Sequence, residues 1–241
     1  MTTLFSLEVF PPRRNAPVGT IYDTLDGLEG LNPAFISVTY GTGKSSDPTA
    51  RICNTIHAEY HIPAVAHLTA QYLDRQAVDE ALAMFDEAKV AGVLALRGDP
   101  VPDRTPAGVF QHASDLVAYV REQRPELKIY GACYPEKHPQ AASFEQDVEF
   151  LKRKVDAGAS HLISQLFYCN DDFYRFLDMA RSAGITVPIE AGIMPVTNAA
   201  SVRRMARLCG SRVPSRVETL LERWGDDPAK LTKAGELYAS E

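Results

Sequence analysis

Only four cysteines occur, Cys53, Cys133, Cys169 and Cys209, and no two are spaced as a C-x-x-C pair. That spacing excludes a zinc knuckle or a thioredoxin-like motif and points to reduced thiols, mostly buried. Positive charge is scarce too. The 25 Lys and Arg against 31 Asp and Glu leave a net charge of -6 with no basic cluster, which excludes a nucleic-acid partner. No apolar run approaches the length of a membrane span, so no membrane partner is expected. The opening residues MTTLFSLEVF lack the basic region, long apolar core and small-residue cleavage site of a secretory signal, so a cytoplasmic location is expected. His57 and His61 stand as H-x-E-x-H, not the H-E-x-x-H of a zinc protease, and no third ligand is evident; no metal is expected.

With 45% hydrophobic and 23% charged residues, the composition is that of an ordinary globular protein. A length of 241 residues suits one large domain over 1–241. Short apolar runs recur at the spacing of βα units: Leu4–Val9, Phe35–Thr39, Ala64–Leu68, Val93–Leu96, Ile129–Cys133, Leu162–Gln165 and Ile189–Ile193. Most are apolar on both faces, as strands of a covered parallel sheet are. Between them, Gln76–Ala91 places Ala77, Ala81, Met84, Phe85 and Ala88 on one helical face. Phe144–Ala157 repeats the design, with Ser143 as N-cap, Gln146 three residues on, and Gly158 as the stop.

Such alternation fits either a closed barrel or a doubly wound open sheet. Polar groups stand at the C-terminal ends of nearly every run: Glu8, Thr39, His67, Asp99, Tyr134 with His138, Gln165 and Asn198. Side chains offered by so many consecutive strands suit a barrel mouth, whereas an open sheet concentrates its site at one switch point. The fold expected is α/β, a (β/α)8 TIM-type barrel. Seven strands are visible, followed by helical segments Ser201–Leu208, Ser215–Trp224 and Ala229–Ser240, so the final strand is expected to be missing and the barrel C-terminally short.

Gly41-Thr42-Gly43-Lys44-Ser45 has the ending of a phosphate-binding loop, but G-x-x-x-x-G-K-[ST] would need glycine where Val38 stands. A loop following the second strand is the better reading. Glu8 lies in the apolar stretch Phe5–Phe10, where an unpaired carboxylate is costly to ionise. It reads as a general acid held protonated by its surroundings, against a structural carboxylate paired with arginine. In Arg97-Gly98-Asp99-Pro100 the aspartate serves equally as a turn cap or a site residue. Tyr134–Pro139 combines an aromatic face, two acid–base groups and two prolines, an unusual content for a plain connection. Lys152-Arg153-Lys154 suits a helix C-terminus with or without an anion, and Gln165 suits a heterocycle edge or a satisfied interior amide.

In order and spacing, LEVFPPR at Leu7–Arg13, ISVTYG at Ile36–Gly41, AHLT at Ala66–Thr69, ALRGD at Ala95–Asp99, YPEKHP at Tyr134–Pro139, LKRKVDAGA at Leu151–Ala159, ISQLFY at Ile163–Tyr168 and GIMPVTN at Gly192–Asn198 resemble the methylenetetrahydrofolate reductase family, in its bacterial-type catalytic barrel. The resemblance implies an FAD-dependent oxidoreductase of one-carbon metabolism and methionine biosynthesis. NADH or NADPH would reduce the flavin, which would then reduce 5,10-methylenetetrahydrofolate to 5-methyltetrahydrofolate in a ping-pong sequence. It implies Glu8 as the general acid, Asp99 as a second catalytic group between flavin and folate, and Gln165 as a contact of the tetrahydrofolate derivative. The family's flavin contacts map onto Thr39, His67, Arg97, Gly98, Asp99, Ala132, Tyr134, His138, Asp147, Arg153 and Lys154.

Two positions depart from the family pattern: His112 where tyrosine is common near the flavin, and Ala199 where a phenylalanine usually follows the GIMPVTN-type segment. A homo-oligomer is compatible with the family. The alternatives are a folate- or flavin-binding accessory barrel without turnover of its own, or a flavin barrel with another donor or acceptor.

Overall fold

The computed structural model describes residues 4–12, 19–28, 30–40, 46–101 and 103–241. The Gly41–Ser45 loop and Arg13 of the first motif lie outside the described residues. The chain divides into two compact units, one of residues 1–131 with 157–159 and one of residues 132–156 with 160–241.

The first unit alternates β1 (Leu7–Val9), α1 (Gly19–Asp26), β2 (Ile36–Val38), α2 (Asp47–Tyr60), β3 (Ala64–Thr69), α3 (Arg75–Glu87), β4 (Gly92–Leu96) and α4 (Ala113–Gln123), and takes in the start of β5 (Lys128–Cys133). All its strand pairs are parallel and follow chain order. Because parallel partners in register point to the same side, each strand deals its residues alternately to two faces. Val9, Ile36, Val38, Ala66, Leu68, Val93, Ala95 and Ile129 pack with helix residues such as Ile56, Leu82, Phe85 and Leu116 into one core. The opposite face carries Glu8, Ser37, Val65, His67, Leu94 and Tyr130. Tyr130 meets Phe35 there, ring centroids 5.2 Å apart. The apolar-on-both-faces pattern thus reflects two real packing environments.

The second unit takes in the end of β5, then α5 (Phe144–Asp156), β6 (His161–Ser164), α6 (Asn170–Ser182), β7 (Ile189–Glu190), α7 (Ala199–Cys209), α8 (Ser215–Trp224) and α9 (Pro228–Ala239). The Gln165 amide donates to Cys133 O at 2.7 Å, so β6 runs on beside β5, and β7 pairs with β6 in parallel. Ser143 and Gln146 cap α5 as expected: Gln146 N donates to Ser143 Oγ (3.2 Å), and Ala142 N donates to Gln146 Oε1 (2.8 Å). One core in this unit holds Leu151, Leu162, Phe173 and Phe176, and another holds Val196, Val202, Val217, Leu221 and Leu231.

Seven parallel strands in chain order, with every helix but the last two following a strand, make this the expected α/β fold of TIM type. Among the described residues no eighth strand follows β7. Three details differ from the expectation. The helical stripe of α3 is centred on Val78, Ala81, Leu82 and Phe85, with Ala88 buried and Ala77 and Met84 packed at its edge, and Asp74 caps the helix by accepting from Ala77 N (2.9 Å). The last strand stops at Glu190, since Gly192 N gives its hydrogen bond to the Ser164 side chain (2.9 Å) and leaves the ladder. His61 lies just past α2 in a left-handed conformation (φ 55), ending the helix instead of sharing a turn with His57.

In α9, Gly235 lets the helix touch the Val196 carbonyl: a Cβ added there would stand 2.0 Å from Val196 O. Backbone on both sides leaves nothing that yields. Gly235→Ala is expected to cost about 3 kcal/mol, a fall in melting temperature of roughly 10 °C in thermal unfolding.

Candidate active site

In the first unit the group of greatest chemical interest is Glu8. Its place in β1, opposite Ser37 in register, sets it on the face shared with His67, and His67 Nε2 lies 3.5 Å from Glu8 Oε2. The Glu8 side chain is 47% exposed, yet desolvation by the surrounding protein raises its pKa above the ordinary carboxylate value. His67 is buried, and burial lowers its pKa to about 4, so the imidazole is neutral near pH 7. A carboxyl that resists ionising therefore faces an imidazole that resists protonation. As pH falls from 6.5 toward about 4, the unfolded chain takes up a proton that native His67 refuses. This contribution to stability is complete above the unfolded value and declines by at most about 1.4 kcal/mol per pH unit below it. His67→Gln is expected to flatten that slope in denaturation curves compared at neutral and mildly acidic pH.

Thr39 closes β2, its N–H bonded to Val9 O (3.1 Å) and its carbonyl accepting from Thr49 Oγ1 (3.1 Å). The segment after β4 is held from the end of β3. Gln71 N donates to Arg97 O (2.8 Å), the Gln71 side-chain amide, when its nitrogen is assigned toward the bend, donates to Gly98 O (2.8 Å), and the Tyr72 hydroxyl accepts from Val101 N (2.6 Å). Gly98 has φ +93, and a Cβ there would stand 3.2 Å from Thr69 Cβ, so this bend needs glycine on both counts. Arg97 Nε turns back to Gly98 O (3.3 Å), and Asp99 is left exposed at the tip. His112 is exposed at the start of α4, its N–H bonded to Asp115 Oδ2 (2.9 Å).

In the second unit Lys154 reaches from α5 to the end of β5, where its Nζ donates to Ala132 O. Desolvation lowers its pKa, while Cys133 and Asp147 act the other way. Tyr134 and His138 meet edge to face with centroids 4.6 Å apart, and Asp147 Oδ2 accepts from His138 N (2.9 Å). His138 Nδ1 accepts from Gln140 N (3.0 Å), which leaves any ring proton to Nε2. The structure thus gathers Ala132, Tyr134, His138, Asp147 and Lys154 around one strand end. Arg153 is placed elsewhere, on the exposed side of α5 in an ion pair with Glu149. Gln165 turns its carbonyl onto the next amide, Leu166 N (2.9 Å), and Asn198 caps α7 by accepting from Ser201 N (2.9 Å). Ala199 opens α7 and, like Met205 and Trp224, is partly buried against the core.

A family model described as methylenetetrahydrofolate reductase matches residues 1–240. The chain belongs to the methylenetetrahydrofolate reductase family. The Zea mays methylenetetrahydrofolate reductase (NADH) 1 is 34% identical over 248 residues, covering 97% of this chain and 42% of its own length. The 5,10-methylenetetrahydrofolate reductase of Pectobacterium carotovorum subsp. carotovorum is 34% identical over 237 residues, covering 98% of this chain and 78% of its own. The chain therefore spans about two fifths of the plant relative and about three quarters of the bacterial one. Among solved structures, a Clostridium thermocellum protein described as binding two copies of 5-methyl-5,6,7,8-tetrahydrofolic acid superposes with a TM-score of 0.66 at 17% identity, covering 98% of this chain and 81% of its own. That likeness concerns the fold.

Several residues of structural weight in these segments carried no clear signal in the sequence. Gln71, two residues past β3, fastens Gly98 and Asp99, and only the general rule that strand ends carry function pointed to it. Asp172, Arg175, Arg212 and Glu136 form a network whose members are scattered along the chain. Asp172 accepts from Arg175 (2.8 Å) and Arg212 (2.7 Å), and Glu136 accepts from Arg212 N (2.8 Å). No local pattern announces such a network.

Proposed function

We propose that the chain is a flavin-dependent reductase that converts 5,10-methylenetetrahydrofolate to 5-methyltetrahydrofolate, taking electrons from NADH or NADPH through FAD in alternating half-reactions. The observation that carries the reading is the Glu8 carboxyl, biased toward its protonated form on a strand face beside a neutral imidazole. Opening the methylene bridge requires a proton on the departing amine nitrogen. Glu8 supplies it and is left as carboxylate, while the one-carbon unit becomes an electrophilic iminium that accepts hydride. Family membership and the activities that name the maize and Pectobacterium relatives support the substrate, and the 5-methyltetrahydrofolate of the Clostridium protein supports folate binding on this fold.

The second unit fits FAD by the chemistry of its donor set. Lys154 brings an amine to a strand end, where a bound pyrophosphate would offset the desolvation and favour the charged form, and the Tyr134–His138 pair would offer rings and an Nε2 donor. Ala132 and Asp147 are assigned to the same cofactor, while the flavin roles of Arg153 and, in the first unit, of Thr39, His67, Arg97, Gly98 and Asp99 rest on the family resemblance alone. When bound, FAD supplies a two-electron carrier that takes hydride from the nicotinamide and passes it to the folate. Asp99 and Gln165 are assigned to the folate, Asp99 also to catalysis.

The test is direct. Purified protein should be yellow, release FAD on denaturation, bleach anaerobically with NADH or NADPH, and recover colour with methylenetetrahydrofolate. Colourless protein that takes up no FAD, or reduced protein that only an unrelated acceptor reoxidises, would overturn the reading.

A further inference from the structure

Glu8 is a long side chain on a three-residue strand, with nearly half its surface open. Left to itself it would sample several rotamers, and a proton donor must keep its oxygen in one place. Among the described residues its one ion-pair neighbour is His67, at 3.5 Å. His67 is the rigid member: it stands in the longer strand β3, is 5% exposed, and its Nε2 is buried with no hydrogen-bond partner among the described residues. An unpaired polar atom in that position is costly unless something meets it.

We propose that His67 is the positioning residue for Glu8, its Nε2 meeting the carboxyl and holding one rotamer through proton delivery. The inference rests on Glu8 being the proton donor. A neutral imidazole suits the task because it accepts from the acid in one tautomer and donates to the carboxylate in the other. Around the pair, Ser37 on β2 and Leu94 on β4 share the face, neither of them charged, and desolvation alone accounts for the shift of both groups.

The experiment follows the Glu8 carboxyl carbon by NMR in flavin-free protein labelled with ¹³C-glutamate, the signal being identified by its absence from Glu8→Gln. His67→Leu removes the N–H that stabilises the carboxylate, so the Glu8 titration midpoint should rise by about 0.5 or more. His67→Gln, whose amide reaches the place of Nε2, should restore it, while His67→Asn, whose amide stops short, should behave like leucine and stands in if the leucine chain fails to fold. In flavin-loaded protein the rate of folate reduction should fall roughly tenfold to a hundredfold for leucine or asparagine and recover largely with glutamine. An unchanged midpoint in leucine and asparagine variants, or equal behaviour of glutamine and asparagine, would overturn the role of His67. Intact folate reduction in Glu8→Gln would instead remove the proton-donor reading, a distinguishable failure.

Discussion

Glu8→Gln is expected to leave reduction of the flavin by the nicotinamide within a few-fold of the parent and to slow folate reduction by about 10²–10⁴. The amide keeps the size and polarity of the carboxyl but has no proton to give, so the loss should appear only where the methylene bridge opens. Stopped-flow measurement of the two half-reactions separates them, and equal losses in both would take Glu8 out of the acid role. A second consequence concerns stability. A carboxyl with a raised folded pKa binds its proton more tightly when native, so the parent loses stability as pH rises from the ordinary carboxylate value through the folded one. Glu8→Gln lacks that titration and should be the more stable protein at neutral pH, with the advantage vanishing in acid.

Asp172→Ala is expected to destabilise the second unit by about 3 kcal/mol. Its side chain is 7% exposed and binds two arginines at 2.8 and 2.7 Å, each of them half exposed. Removing the carboxylate leaves both guanidinium groups without their partner and cuts the tie between α6 and the segment joining α7 to α8. Partial access to water softens that cost, which places it at the lower end for a buried pair. Burial alone would raise the Asp172 pKa, but Arg212 and Arg175 outweigh it and hold the carboxyl below its usual value. Stability from this pair is therefore present above the ordinary aspartate range and disappears as pH falls through the depressed folded value. Denaturation curves of parent and variant should converge in strong acid and stand furthest apart near neutrality; parallel curves would show that packing, not charge, carries the difference.

The repeat of apolar runs already contained the strand order, because a parallel strand covered on both sides must be apolar on both sides whatever its partner. Six of the runs became strands of three residues or more, and their polar residues at the C-terminal ends led to Glu8, His67, Tyr134 and His138. Helix stops were legible where one residue decides them, as at Gly158 with φ +122. Less was legible where a side chain competes with backbone: Ser164 ends β7 early by taking the Gly192 amide, and Gln165 satisfies its neighbour. Ser164 reads as an ordinary member of an apolar run, and for Gln165 the sequence leaves a heterocycle contact and a satisfied interior amide equally open. Strand ends also mislead in one direction, since Asn198 shares the position of the others and serves as a helix cap.

What the sequence alone determined is the alternation, the family and the residue types available for chemistry, all of which follow from local pattern and order along the chain. Tertiary structure decided which of those residues meet. Glu8 and His67 lie in different strands and come within 3.5 Å only because parallel register brings them to one face, and burial then moves their proton affinities in opposite directions. Lys154 and Arg153 are neighbours in sequence, yet one turns to the end of β5 and the other to an exposed ion pair, because successive residues on a helix point about 100° apart. Desolvation and orientation depend on atoms far apart in the chain, and no local pattern carries them.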